Sequence, residues 1–182
     1  MEAAASTCDA SSTEWRKETP SGSVARPRIS VALCTYNGAS FLDAQLDSYL
    51  TQTRLPDELV VCDDQSSDAT LALLDGFAKR APFPVRLHHN QARLGSTKNF
   101  EKAIGLCTGD LIATSDQDDV WLPDKLALSE AAFAKSPEIG LIFTNAEVVD
   151  QGLEPLGHRL WDAIHFGPIL RRRVRRGQFA SC

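Results

Sequence analysis

The chain has 182 residues, of which 43% are hydrophobic and 24% charged, and its net charge is -5. That length suits one globular domain, that charge disfavours non-specific nucleic-acid binding, and no apolar run approaches the roughly 18 residues of a membrane span. Five cysteines (Cys8, Cys34, Cys62, Cys107 and Cys182) are odd in number and lack a Cys-x-x-Cys pair, the pattern of reduced thiols in a cytosolic protein rather than of a disulfide frame or zinc site.

Residues 1–27 are rich in Ala, Ser and Thr and carry no hydrophobic period, so they read as a disordered lead. Nothing there resembles the apolar core of a secretory signal. Ile29 to Cys34 is a β-rich run and the first predicted strand. Asn37-Gly38 marks a turn. Ser40, with Asp43 three residues on, has the form of a capping box for a helix whose stripe is Phe41, Leu42, Leu46, Tyr49 and Leu50. Leu59 to Cys62 is a short, continuous apolar run of the kind buried in parallel sheets. It ends in Asp63-Asp64, after which Ser67 or Asp68 can cap a helix carrying Leu71, Leu74 and Phe77. Val85 to His88 is a third strand. The adjacent His88 and His89 point to opposite faces of it and cannot share a metal. A helix follows over 97–107, closed by Gly109.

Leu111 to Ala113 begins the next strand, which leads into Asp116-Gln117-Asp118-Asp119. Read as extended chain, Asp116 and Asp118 project together, about 6–7 Å apart along the strand. Like charges that close need a cation or a proton between them, and hard carboxylate oxygens suit Mg²⁺ or Mn²⁺. Pro123 opens a helix to about Lys135. Leu141 to Thr144 starts a further strand reaching towards Val149, and Gln151-Gly152 turns. Strands alternating with helices give a mostly parallel sheet. Its strand C-terminal ends share one edge, where ligands of open α/β sheets bind. Three polar tips fall there: Thr35-Tyr36-Asn37, Asp63-Asp64 and Asp116-Gln117-Asp118. Asp63 or Asp64 can accept the imide N–H of uracil or thymine, Tyr36 can line the base, and Asp116 can meet the ribose. Lys98 or Arg93 can face a diphosphate.

The segments ISVALCTYNG, ELVVCDDQSSDAT, HNQARLGSTKNFEKAI and GDLIATSDQDDVWLPDKL together resemble the N-terminal half of a family 2 glycosyltransferase, most like bacterial rhamnosyltransferase-type members. The resemblance spans about residues 29–150. It implies a GT-A fold, a Rossmann-like α/β sheet flanked by helices, here over 28–166. It implies a dTDP- or UDP-sugar donor, a Mn²⁺ or Mg²⁺ cofactor, and inverting transfer of a rhamnose-like sugar to a glycan or lipid-linked acceptor. Thr35, Tyr36 and Asn37 would lie at the nucleoside and Asp64 at the base, and Asp116 and Asp118 would form the family's Asp-x-Asp motif. Asp118 would be the metal ligand. The family's general base comes from its C-terminal half. Only 64 residues follow Asp118, so the catalytic base stays unassigned, with Asp162 the default, and the chain reads as truncated before the acceptor part. On this reading 167–182 is a basic segment at the incomplete start of that part. Arg171 to Arg176 could touch the inner face of the cell membrane, and surface left uncovered would favour self-association. The alternatives are a catalytically inactive nucleotide-sugar-binding fragment and a nucleotidyltransferase. The second class carries a Gly-rich phosphate loop that is absent after the first strand here.

Overall fold

The computed structural model describes residues 26–136 and 138–167. Its strands are β1 (Ile29–Thr35), β2 (Glu58–Asp63), β3 (Val85–His89) and β4 (Leu111–Ser115). The helices between and after them are α1 (Ala39–Leu50), α2 (Thr70–Arg80), α3 (Ser96–Leu106) and α4 (Lys125–Lys135). The four strands form one parallel sheet in the order β3-β2-β1-β4. The chain therefore steps outward from β1 to β3, then crosses back to place β4 on the other side of β1. The order reverses between β1 and β4, and a crevice opens at such a point beyond the strand ends.

The period-2 pattern of β1 sorts the core into two layers. Ile29, Val31 and Leu33, with Leu59 and Val61 of β2, face Leu42, Leu46 and Tyr49 of α1, Leu74 and Phe77 of α2, and Trp121 and Leu126. The opposite face is smaller: Ala32, Cys34 and Cys62 pack on Ala103, with Phe100, Leu106 and Cys107 at the margin. A fully buried leucine such as Leu46 contributes about 2 kcal/mol by leaving water. Cys34, Cys62 and Cys107 are free thiols, and burial pushes Cys34 up to about 12, which keeps it protonated and unreactive.

Several expectations need correction. The Ser40–Asp43 capping box does not form. Helix α1 starts at Ala39, with Gly38 as its N-cap and no side-chain cap bond. Its leading amides are met from elsewhere, Gly38 N by Thr70 Oγ1 at 2.9 Å and Ala39 N by Asp68 Oδ2 at 3.1 Å. Gly109 is not a left-handed helix cap. It lies where the chain crosses β1 closely, and a Cβ there would stand 2.7 Å from Ser30 Oγ and 2.8 Å from Arg28 O. Helix α4 begins two residues after Pro123. Residues 141–144 form no strand: Leu141 and Phe143 are 60% and 52% exposed, and an apolar run without a neighbouring strand or covering layer has no ladder to join. The chain instead makes an antiparallel pair further on, β5 (Glu147–Val149) with β6 (Pro155–Arg159), around the Gln151-Gly152 turn, followed by α5 (Leu160–Ala163). Arg26 and Pro27, assigned to the lead, are docked. Arg26 pairs with Glu130 at 2.7 Å and Pro27 O accepts from Arg54 at 3.0 Å. Trp15 and Arg171 to Arg176 lie outside the described residues.

Candidate nucleotide-sugar site

The crevice at the β1/β4 reversal is a cleft of about 290 Å³, lined from three strand ends and the start of α3. Thr35 and Tyr36 come from the end of β1, Asp64 from just after β2, and Asp116, Gln117 and Asp118 from just after β4. Arg93, Gly95, Ser96 and Asn99 close the side at α3. Strand β4 pairs only as far as Ser115 opposite Leu33, so its acidic tip turns in beside Cys34 to Tyr36.

That tip is not extended. Gln117 and Asp118 form a turn, so the alternation that would aim Asp116 and Asp118 together with Gln117 opposed does not apply, and all three line the cleft. Gln117 does the holding. Its Oε1 accepts from Tyr36 N at 2.8 Å and its Nε2 donates to Tyr36 O at 3.1 Å, a two-bond clasp between the tips of β1 and β4. The clasp needs the space at Gly38, where a Cβ would sit 2.2 Å from Gln117 Oε1. Neither role was legible in the sequence. Asn-Gly signals a turn, but nothing local says that a glutamine from 79 residues later fills the space beside it.

The two aspartates after β2 divide the work. Asp63 is 2% exposed and faces inward. It accepts from Thr35 Oγ1 at 2.9 Å and Ser66 N at 2.9 Å, and lies 3.0 Å from His89 Nδ1. Asp64 lines the cleft and organises its wall. Oδ1 accepts from Leu94 N (2.7 Å) and Asn90 Nδ2 (2.8 Å), and Oδ2 from Gly95 N (2.8 Å). Burial alone would raise its pKa, but these donors, with Arg93 nearby, hold it below the usual carboxylate range. Three bonds leave one of about four lone-pair positions open for a ligand donor. Gly95 adopts a φ of 79°, which glycine takes without strain, and this turns the chain into α3, whose N-terminal residues Gly95 and Ser96 line the cleft. A helix N-terminus favours anionic groups.

The Arg93 guanidinium lies over the Tyr36 ring, 3.7 Å from its centroid, and so reaches the cleft. Lys98 does not line it: its ammonium pairs with Glu101 at 2.7 Å on the exposed side of α3. Asn37, at φ 47°, serves the turn, with Oδ1 accepting from Ser67 N at 2.8 Å and its own N donating to Ser66 Oγ. Thr35 Oγ1 is committed to Asp63, so Thr35 meets the cleft without a free hydroxyl proton. Asp162 is exposed in α5, away from the cleft.

The lining holds three carboxylates (Asp64, Asp116 and Asp118) against one guanidinium, a deficit of two positive charges. Burial, then Asp119, then Asp118 raise the pKa of Asp116. Burial and Asp118 likewise raise that of Asp119, opposed by Lys125. The acidic tip is thus short of countercharge. Among the described residues no three His, Cys, Asp or Glu side chains form a closed metal cage. Two open carboxylates do fit a hard divalent cation that completes its shell with water and phosphate oxygens.

The family model for glycosyl transferase family 2 matches residues 30–177. An uncharacterised glycosyltransferase of Nostoc is 31% identical over 123 residues, covering 68% of this chain and 38% of that protein. The UDP-Glc:alpha-D-GlcNAc-diphosphoundecaprenol beta-1,3-glucosyltransferase of Escherichia coli is 30% identical, over 67% of this chain and 47% of that one. Among solved structures, the Pyrobaculum calidifontis mannosyltransferase in complex with GDP-Man and Mn²⁺ superposes with a TM-score of 0.55 at 26% identity, over 70% of this chain and 37% of that chain. Staphylococcus aureus TarS with UDP-GlcNAc superposes at 0.56 and 22% identity, over 67% and 40%, a likeness of fold. The chain spans less than half the length of these curated relatives.

Proposed function

The chain belongs to glycosyl transferase family 2, and from that premise we propose that its cleft binds the donor, a nucleotide-diphospho-sugar, with a divalent cation at Asp118. One observation carries this reading: the residues at the ends of β1, β2 and β4 meet in a single cleft at the strand-order reversal. The base lies along Tyr36 and Arg93, and its imide N–H donates to the open position of Asp64, which favours uracil or thymine. Asp116 faces the ribose. The diphosphate lies between the α3 N-terminus and the acidic tip. A bound Mn²⁺ or Mg²⁺ would stabilise the negative charge of the departing diphosphate. The chain's own residues hold the leaving group in line and supply the carboxylates that fix the cation. The reaction is inverting transfer of a hexose or rhamnose-like sugar to a glycan or lipid-linked acceptor hydroxyl, on the cytoplasmic side of the membrane. The E. coli relative takes a diphosphoundecaprenol-linked acceptor by its name, which supports an acceptor of that class. The nucleotidyltransferase alternative falls with the family assignment.

Calorimetric titration of UDP, dTDP and GDP, with and without Mn²⁺, tests the reading. The expected result is Mn²⁺-dependent binding of UDP or dTDP that weakens at least about tenfold in Asp118→Ala. Absence of binding by the folded protein under all these conditions would overturn it.

A further inference from the structure

Beneath the acidic tip lies a buried polar network that the cleft does not use. Gln45 and Tyr49 of α1 are wholly buried and Ser115 is 2% exposed. Gln45 Nε2 donates to Tyr49 Oη at 2.7 Å and to Ser115 Oγ at 2.6 Å. Tyr49 Oη donates to Ser115 Oγ at 2.8 Å, and Ser115 Oγ donates to the carbonyl of Asp116 at 3.1 Å. Each proton is used once, and the chain of donors ends on the backbone of the first acidic residue. Gln45 Oε1 has no partner. Turning the amide over would strand its two N–H groups instead of one acceptor, so the network has a single favourable direction.

Helix α1 and the residues just after it grip the far side of the tip. The Tyr49 ring meets Trp121 edge-on, with centroids 5.0 Å apart at 73°. Gln52 Nε2 donates to Leu122 O at 2.8 Å, while Gln52 Oε1 accepts from Leu126 N at 3.2 Å. Thr53 N donates to Pro123 O at 2.7 Å. Gln45 and Tyr49 lie one helical turn apart on α1 and touch the entry to the acidic turn at Ser115 and its exit at Trp121, and Gln52, two residues past the end of α1, holds Leu122. An apolar set of the same volume would fill this space, but only directed hydrogen bonds fix where the Asp116 carbonyl lies.

We infer that α1 is a clamp that sets the geometry of Asp116 to Asp119 through the Gln45–Tyr49–Ser115 network, and that Tyr49 is therefore a positioning residue for the metal-linked diphosphate. The inference rests on the donor-site reading above, and two readouts separate them. Tyr49→Phe keeps the ring and its Trp121 contact and removes one hydroxyl. Hydrogen exchange of the ligand-free protein is expected to quicken in residues 116–122 and to stay unchanged in α2. The Mn²⁺ concentration for half-maximal UDP binding is expected to rise about tenfold, with metal-free UDP affinity unchanged. Ser115→Ala, which also removes one hydroxyl and cuts the last link to the Asp116 carbonyl, is expected to do the same. Phe77→Leu, a core change in α2, is expected to lower stability without moving the Mn²⁺ requirement. Wild-type exchange at 116–122 in both clamp variants overturns the clamp. Faster exchange with an unchanged Mn²⁺ requirement overturns the positioning role. Wild-type protein that shows no metal-dependent binding refutes the donor-site reading and the Mn²⁺ part of this inference, while the exchange data still decide the clamp.

Discussion

Glu58 is the carboxylate whose removal has the most predictable cost. It sits at the start of β2, its side chain 6% exposed. It accepts from Ser30 Oγ of β1 (2.6 Å), Thr108 N (2.7 Å) and Oγ1 (3.0 Å) before β4, and Arg86 Nη2 of β3 (2.7 Å). One side chain thus ties β2 to the other three strands of the sheet. Burial alone would raise its pKa, but these four donors outweigh it and bring the value from 4.5 to about 2. A shift of that size corresponds to about 3 kcal/mol between the two protonation states. Because the folded-state value is depressed, the stabilisation is fully present above pH 4.5 and is lost as pH falls from there towards 2. Urea denaturation of wild type and Glu58→Gln measures it. The difference in unfolding free energy is expected to be about 3 kcal/mol near pH 7 and about 1 kcal/mol near pH 3. A difference that does not change between those pH values would refute the assignment, because it would make the Glu58 contribution one of packing rather than of charge.

Three further outcomes follow from the geometry. Gly38→Ala is expected to cost about 1–3 kcal/mol by displacing Gln117 from its two bonds to Tyr36. Adding it to Gln117→Ala should cost far less than adding it to wild type, a non-additivity that a double-mutant cycle reads directly. Asp64→Asn should speed amide exchange at Leu94 and Gly95 by about 10–100-fold, since each now donates to a carboxylate and such bonds contribute about 1.5–3 kcal/mol. Gly109→Ala should lower unfolding free energy by about 1–3 kcal/mol, because the atoms the new methyl meets include backbone of β1 that cannot rotate away.

The sequence by itself determined the strands and helices whose side chains carry a period. The β-rich run of β1, the apolar run of β2 and the stripes of α1 and α2 each encode burial within one short segment, and burial is what those elements are stabilised by. It also determined that the polar tips end strands, which was enough to converge on Thr35, Tyr36, Asp64, Asp116 and Asp118 as neighbours, and the four quoted segments were enough for the family. Tertiary structure alone decided which side of β1 receives β4, since strand order depends on crossover packing and leaves no local trace. It also decided that residues 141–144 join no strand among the described residues, that Arg93 rather than Lys98 reaches the cleft, and that the acidic tip turns instead of running straight. Gln117, Gly38 and Tyr49 show the reason most clearly. Each matters through an atom contributed by a residue 66 to 81 positions away, and a contact of that separation exists only once the sheet has brought β1, α1 and β4 together.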